Sequence, residues 1–330
     1  MKRLLASLCA LIAFGVQAET WRFALIGDTP YSDRERRELP LMLRDIAAEQ
    51  PSFIIHAGDI KSSTAKCSNE IFLDRHALFN ASVVPFIYTP GDNEWMDCEH
   101  LVAGHFSQLE RLGRLREIFF AEPFSLGKTR IPVEQQSAAY PENLRWRLGP
   151  VVFVTLNVPG PNNNFGMGQK ASPEFLARNP VVIDWLKQGF SSARREKSAG
   201  IVIVMQGDPD FKHFDAGFAH SGYRELLETL RQETLDFPGQ VLLVHGDTHW
   251  QRIDHPLRHP ETKQPITNFT RAETFGYPFM GWITAVIDSE SAELFRFEVR
   301  EYSKRSTVPC CQPAYSAVIG RRGSSSSIRL

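Results

Sequence analysis

Five times in this chain an apolar run gives way to glycine followed by aspartate: Ile26-Gly27-Asp28, Ala57-Gly58-Asp59, Pro90-Gly91-Asp92, Gln206-Gly207-Asp208 and His245-Gly246-Asp247. Two of these continue with further polar donors, as Asp92-Asn93-Glu94 and as Asp247-Thr248-His249. In an open α/β sheet the carboxyl ends of neighbouring strands converge on one crevice, so acidic side chains just past several strands can meet although distant in sequence. Glycine permits the tight turn and close backbone approach, and each carboxylate offers oxygens that a hard cation can share. A single Gly-Asp after a strand reads as a turn or helix cap, where aspartate bonds its own backbone. Five of them, one with a histidine two residues on, read as a metal site.

Between these motifs the chain alternates strand and helix. Trp21 to Ile26, Phe53 to Ala57 and Val83 to Tyr88 read as strands, with helices over 33–49, despite Pro40, and over 68–80. That order implies parallel pairing. Residues 99–140 read as an insertion with a helix near 101–120 and a polar loop after it. Leu144 to Leu148 and Val151 to Leu156 form a hairpin turning at Gly149-Pro150, followed by the loop Asn157 to Asn164. Helices over 181–196 and 221–234 precede the strands Ile201 to Met205 and Val241 to Val244. Trp282 to Ile287 and Ala292 to Val299 are expected to close a second sheet. With no repeat and no inner boundary, one domain over 19–302 is expected, then a mobile tail over 303–330.

Met1-Lys2-Arg3, the apolar stretch Leu4 to Val16 and the small-residue pattern Val16-Gln17-Ala18 read as a signal peptide over residues 1–18. No run reaches the roughly 20 apolar residues that a transmembrane helix needs. The expectation is an exported protein, periplasmic or secreted, without stable membrane insertion. Removing Lys2 and Arg3 takes the formal charge from −1 to −3 and leaves no broad basic field, which argues against a nucleic-acid partner. Cys67 and Cys98 each follow a Gly-Asp motif onto the same rim, and in an oxidising compartment they are expected to pair. Cys310 and Cys311 are adjacent, a strained arrangement for a bridge, and their state stays open. Gly127-Lys128-Thr129 lacks the earlier glycine of a phosphate-binding P-loop, and no Gly-x-Ser-x-Gly elbow occurs.

In the order and spacing of these motifs, residues 21–300 resemble the calcineurin-like metallophosphoesterase superfamily. That family runs Asp-x-His, Gly-Asp, Gly-Asn-His-Asp/Glu, a strand-end His, then Gly-His-x-His. The matching positions are Asp28-Thr29-Pro30, Gly58-Asp59, Gly91-Asp92-Asn93-Glu94, Gln206 and Gly246-Asp247-Thr248-His249. The resemblance implies a four-layer α/β sandwich, two central mixed β-sheets flanked by helices, and two divalent cations bridged by Asp59. It puts Asp28, Asp59, Asp92, Gln206, Asp247 and His249 at metal-ligand positions, and Asn93 where the family's catalytic histidine stands. Pro30 offers no donor, and Tyr31, one residue on, reads first as a packing or hydrogen-bonding residue. Five oxygen donors and one nitrogen favour Mn²⁺, Mg²⁺ or Ca²⁺ over Zn²⁺, with iron also admissible.

The implied reaction is hydrolysis of a small phosphomonoester or phosphodiester by a metal-activated water. Asn93 can hydrogen-bond a phosphoryl oxygen but cannot act as general acid, so esters with good leaving groups suffer least. His245 could stand in as proton donor but reads first as a core histidine. The Asn162 to Asn164 loop serves equally well as substrate contact or plain turn, and Trp95 and Trp250 flank ligand positions as crevice walls. The alternative is a metal- or phosphate-binding protein that kept the fold and lost turnover, in line with the missing histidines at positions 30 and 93.

Overall fold

The computed structural model describes residues 19–166, 170–217 and 221–302, and in it two sheets pack against each other between layers of helix. Strands β1 (Thr20–Ile26), β2 (Ile54–His56) and β3 (Phe86–Tyr88) run parallel, with α1 (Asp33–Ala48) and α2 (Asn69–Asn80) as the crossovers. Ser32 caps α1 by accepting the Glu35 N–H at 3.3 Å, and Pro40 is absorbed inside the helix. The second sheet contains seven strands. Along it lie β4 (Glu134–Ser137), β5 (Tyr140–Leu148), β6 (Val151–Thr155), β7 (Gly200–Val204), β8 (Gln240–His245), β10 (Phe269–Glu273) and β9 (Arg252–Asp254). Strands β6, β7, β8 and β10 are mutually parallel, and antiparallel neighbours cover both edges.

Alternation along the parallel strands divides the layers. Val151, Phe153, Val202, Val204, Leu242 and Val244 enter the core between the sheets. Their neighbours Val152, Val154, Ile201, Ile203, Val241 and Leu243 face the helices α4 (Pro173–Arg195) and α6 (Ser221–Leu235). Both faces are therefore dry, which is why these strands are continuous apolar runs in the sequence. Between the sheets the rings of Phe23, Phe53, Trp146 and Phe153 meet at centroid distances of 5.1 to 5.7 Å. Such ring pairs add about 0.5–1.5 kcal/mol each beyond their buried area.

The last two strands do not close a second sheet. Instead β11 (Gly281–Asp288) pairs antiparallel with β1, and β12 (Phe295–Glu301) with β11, extending the first sheet to five strands. The backbone groups on the outer side of β1 need partners, and β11 supplies them. Nor does α4 begin at residue 181. Ser172 caps it by accepting the Phe175 N–H at 3.0 Å, Pro173 sits in the first turn where no N–H is required, and Pro180 lies within. The insertion contains α3 (Gln108–Phe119), but its polar loop also supplies the edge strand β4, and β9 and β10 were likewise not read from sequence. The expected signal peptide, the tail and the Cys310–Cys311 pair lie outside the described residues. Among the described residues no helix is long and apolar enough to cross a membrane.

Candidate metal centre

Strand ends from both sheets deliver the motifs to one rim. The Asp28 N–H donates to the Gly58 carbonyl at 3.0 Å, and the Gly246 N–H to the Gln206 carbonyl at 3.0 Å. Across the sheets, the Asp247 N–H donates to Asp28 Oδ1 at 3.1 Å. The packing leaves no room for side chains at the glycines: a Cβ on Gly246 would stand 2.4 Å from Asp28 Oδ2, and one on Gly91 would stand 2.1 Å from Asp59 Oδ1. Left-handed backbone occurs at Asp28 (φ 48°), Asp59 (61°), Asp247 (79°) and His249 (62°). Non-glycine residues hold that conformation only where their surroundings enforce it, and such positions cluster at functional sites.

At the centre is Asp59. Its Oδ2 accepts the Tyr31 hydroxyl at 2.6 Å and Asn93 Nδ2 at 2.7 Å, and its Oδ1 accepts the Asn93 N–H at 3.2 Å. Asn93 Nδ2 also lies 2.8 Å from Tyr31 Oη. His249 Nδ1 is 2.8 Å from the Tyr277 carbonyl, so the proton is assigned to that nitrogen. Its Nε2 is left facing Tyr31 Oη at 3.3 Å and Asp28 Oδ1 at 3.8 Å. Tyr31 thus hydrogen-bonds between a ligand position of each sheet, although the proline before it offers no donor.

Glu94 has a different task. Its Oε1 accepts from the backbone of Asp59 and Gly91 and from the Tyr88 hydroxyl, at 3.0, 2.7 and 2.7 Å, and its Oε2 accepts from Ile60 N–H at 3.3 Å. The carboxylate fixes two of the rim turns from behind. Its place at the end of the Gly91-Asp92-Asn93-Glu94 motif was the only sequence signal for this role. The Cys67–Cys98 disulfide, with Cα atoms 5.6 Å apart, ties the same two loops together beyond the site.

Burial dominates the electrostatics. It raises the Asp28, Asp59 and Asp92 carboxyls well above the ordinary range, helped by the charges of Asp59 on Asp28, Asp92 on Asp59 and Asp247 on Asp92. Asp247 is pushed up to about 6, again by burial. Among the described residues, the one ion-pair contact to these four carboxylates is that of His249 with Asp28. Lys61, itself buried, donates to the Ser62 carbonyl at 3.0 Å, and burial lowers its pKa. Asp92 Oδ1 is buried with no hydrogen-bond partner. Gln206 Oε1 accepts from the Gly160 N–H at 2.6 Å, which spends one of its two lone pairs. Its Nε2 makes no hydrogen bond, though it lies near enough to Asp247 to help hold that carboxyl down.

In charge and donor type these residues fit a hard divalent cation: several buried carboxylates repel one another, and one of their oxygens is unpaired. The side chains are not drawn into a closed cage. Among the described residues no three His, Cys, Asp or Glu form a group that could hold a metal ion.

The aspartate of the Gln206-Gly207-Asp208 motif turns away. Asp208 bonds Arg252 Nη2 at 2.9 Å and lies 3.8 Å from Arg271 Nη1, while Arg252 Nε reaches Glu273 at 2.6 Å and Arg271 Nε reaches Asp254 at 2.7 Å. His245 is wholly buried with Nδ1 2.9 Å from the Gly246 carbonyl, and burial lowers its pKa to about 4. It is a core histidine. Asn163 is equally structural, because its amide holds Arg178 Nη1 at 2.7 Å and the Gly222 carbonyl at 2.9 Å.

A family model described as calcineurin-like phosphoesterase matches residues 22–251. The chain belongs to the calcineurin-like phosphoesterase family. Membership carries with it metal-dependent phosphoester hydrolysis in general terms, with divalent ions as the family's cofactors. Among solved structures, a dimetal phosphatase from Danio rerio is similar at 13% identity and a TM-score of 0.50, covering 85% of this chain and 96% of its own. A structure of PhoD is similar at 12% and 0.51, over 82% of this chain and 64% of that one. Purple acid phosphatase PPD1 from yellow lupin (Lupinus luteus) is similar at 11% and 0.50, over 86% and 52%. At such identities these likenesses establish the calcineurin-like fold, with its two mixed sheets and flanking helices. No curated protein matches the chain by sequence.

Proposed function

We infer that the protein is an exported metal-dependent phosphoesterase acting on small phosphomonoesters or phosphodiesters at the crevice of Asp28, Asp59, Asp92 and Asp247. The observation that carries this reading is the set of four buried, mutually repelling carboxylates whose one ion-pair contact among the described residues is a single histidine, on a fold whose family uses divalent ions. Asp28, Asp59 and His249 would hold one cation, and Asp59, Asp92, Gln206 and Asp247 a second, with Mn²⁺, Mg²⁺ or Ca²⁺ preferred to Zn²⁺ and iron admissible. Bound there, such ions would activate a water and neutralise phosphoryl charge. Asn93 contributes a neutral donor suited to a phosphoryl oxygen. The Cys67–Cys98 disulfide supports periplasmic or secreted placement, since such bridges persist in oxidising compartments.

A second reading, a binding protein without turnover, draws on the Tyr31 hydroxyl and the Asn93 amide that both occupy Asp59 Oδ2. The deciding experiment measures metal content and hydrolysis of aryl phosphate mono- and diesters with Mn²⁺ or Mg²⁺, beside Asp59→Ala. The expected result is metal-dependent turnover that falls at least about 10³-fold in the variant. Bound metal without turnover would favour the second reading, and a metal-free protein with unchanged variant behaviour would sink both.

A further inference from the structure

Three large rings stand exposed on the two segments that flank His249. Trp250 is 72% exposed, Tyr277 47% and Phe279 69%. Both segments are fixed in place. The Trp250 N–H donates to Glu273 Oε1 at 3.3 Å, and the Phe279 N–H to the Gly276 carbonyl at 2.9 Å. The Tyr277 carbonyl meets His249 Nδ1 at 2.8 Å, and its ring stacks on Tyr31 with centroids 6.0 Å apart. A Cβ on Gly276 would stand 2.5 Å from the His249 ring, so this loop lies directly on that histidine. Single exposed rings are ordinary on a protein surface, but three on the two segments that meet at one candidate ligand, one of them stacked on Tyr31, put exposed aromatic surface beside the crevice.

The interior of the crevice points the same way. Asn93, hydrogen-bonded to Asp59 at the centre of the crevice, presents a neutral amide that cannot protonate a leaving oxygen, and His245 is sealed in the core. A leaving oxygen that departs unassisted must carry its negative charge well, as the oxygen of an aromatic ring does.

Resting on the phosphoesterase reading above, we propose that the substrate's leaving group is a planar aromatic ring bound at the rim of Trp250, Tyr277 and Phe279. Hydrolysis breaks the P–O bond to the ring oxygen and forms a P–O bond to water. The ring oxygen leaves with the bonding pair as an aryl oxide and is protonated by solvent, and the proton of the attacking water passes to solvent.

The test compares 2-naphthyl phosphate with methyl phosphate, and the corresponding diesters, on the wild type and on Trp250→Ala with Phe279→Ala. KM for the naphthyl ester should rise about tenfold in the double variant while that for the methyl ester changes less than about twofold. A separate readout needs no turnover: 2-naphthylphosphonate should quench tryptophan fluorescence in the wild type and about tenfold more weakly in Trp250→Phe. Loss of turnover in Asp59→Ala with equal effects of the rim variants on both esters would overturn the rim alone. Indifference of activity to Asp59→Ala, with naphthylphosphonate still bound through Trp250, would overturn the phosphoesterase reading and leave the aromatic subsite standing. Quenching that is absent, or unchanged in Trp250→Phe, would remove the subsite.

Discussion

Two acidic clusters adjoin where the strand ends of the two sheets meet, and the chain treats them in opposite ways. Asp208, Asp254 and Glu273 are matched by Arg252 and Arg271, whose guanidinium groups bridge all three. Among the described residues, Asp28, Asp59, Asp92 and Asp247 have one ion-pair contact, that of His249 with Asp28, and the more distant buried Lys61 adds a weaker attraction to Asp59 and Asp92. The clusters touch, since the Asp208 N–H donates to Asp247 Oδ2 at 3.0 Å. Burying a carboxylate without compensation is costly, so a protein that provides arginines to one set and withholds them from its neighbour leaves a deficit that a bound cation can fill. Three of the four uncompensated aspartates also hold left-handed backbone, whereas Asp208, Asp254 and Glu273 do not.

The comparison is most severely tested by removing an arginine. Arg271→Met should cost about 2–3 kcal/mol in urea unfolding, below the roughly 3–5 expected of a fully buried pair because Asp254 is partly exposed. Metal content should stay unchanged; a neutral result would mean that the arginines are not compensating this cluster.

Asp247→Asn should act in the other direction. Its carboxyl takes up a proton near pH 6 in the folded chain and near 3.8 when unfolded, so between those values the native form binds more protons and gains stability as pH falls. In chelator-treated protein well above pH 6 the variant should therefore be more stable by about 1–2 kcal/mol, with the advantage vanishing below 3.8. Saturating Mn²⁺ should reverse the ranking, because the wild type alone keeps that ligand. Denaturant titrations in the two conditions would check it, and an unchanged ranking would show that no cation binds at Asp247.

The smallest effect belongs to an ordinary surface pair. Glu117→Ala breaks the contact with Arg114 at 2.7 Å on α3 and should shift stability by less than about 0.5 kcal/mol. A larger shift would show that exposed ion pairs matter as much here as the buried arginines.

Much of this was legible from residue order. Apolar runs marked β1, β2, β6, β7 and β8, and the Gly-Asp turns that end them marked one rim, because strand burial and tight turns are written in adjacent residues. The Cys67–Cys98 pairing followed from two motifs sharing that rim. Less legible were the roles set by partners far along the chain. Glu94 and Asp92 sit two residues apart, yet one is saturated with backbone donors and the other has an orphaned oxygen. Asn163 looked as suited to substrate as to a turn until Arg178 was seen to occupy it.

Alone, the sequence determined the alternation of strand and helix, the crevice at the strand ends and the residue types that reach it, since periodicity and turn chemistry act over a few residues. Only the tertiary structure decided that β11 and β12 return to β1, that Asp208 turns to arginine while Asp28, Asp59, Asp92 and Asp247 share a crevice, and that Tyr31 reaches between Asp59 and His249. Those outcomes depend on which distant groups compensate a buried charge or complete a strand edge, and that is settled by packing across the whole chain.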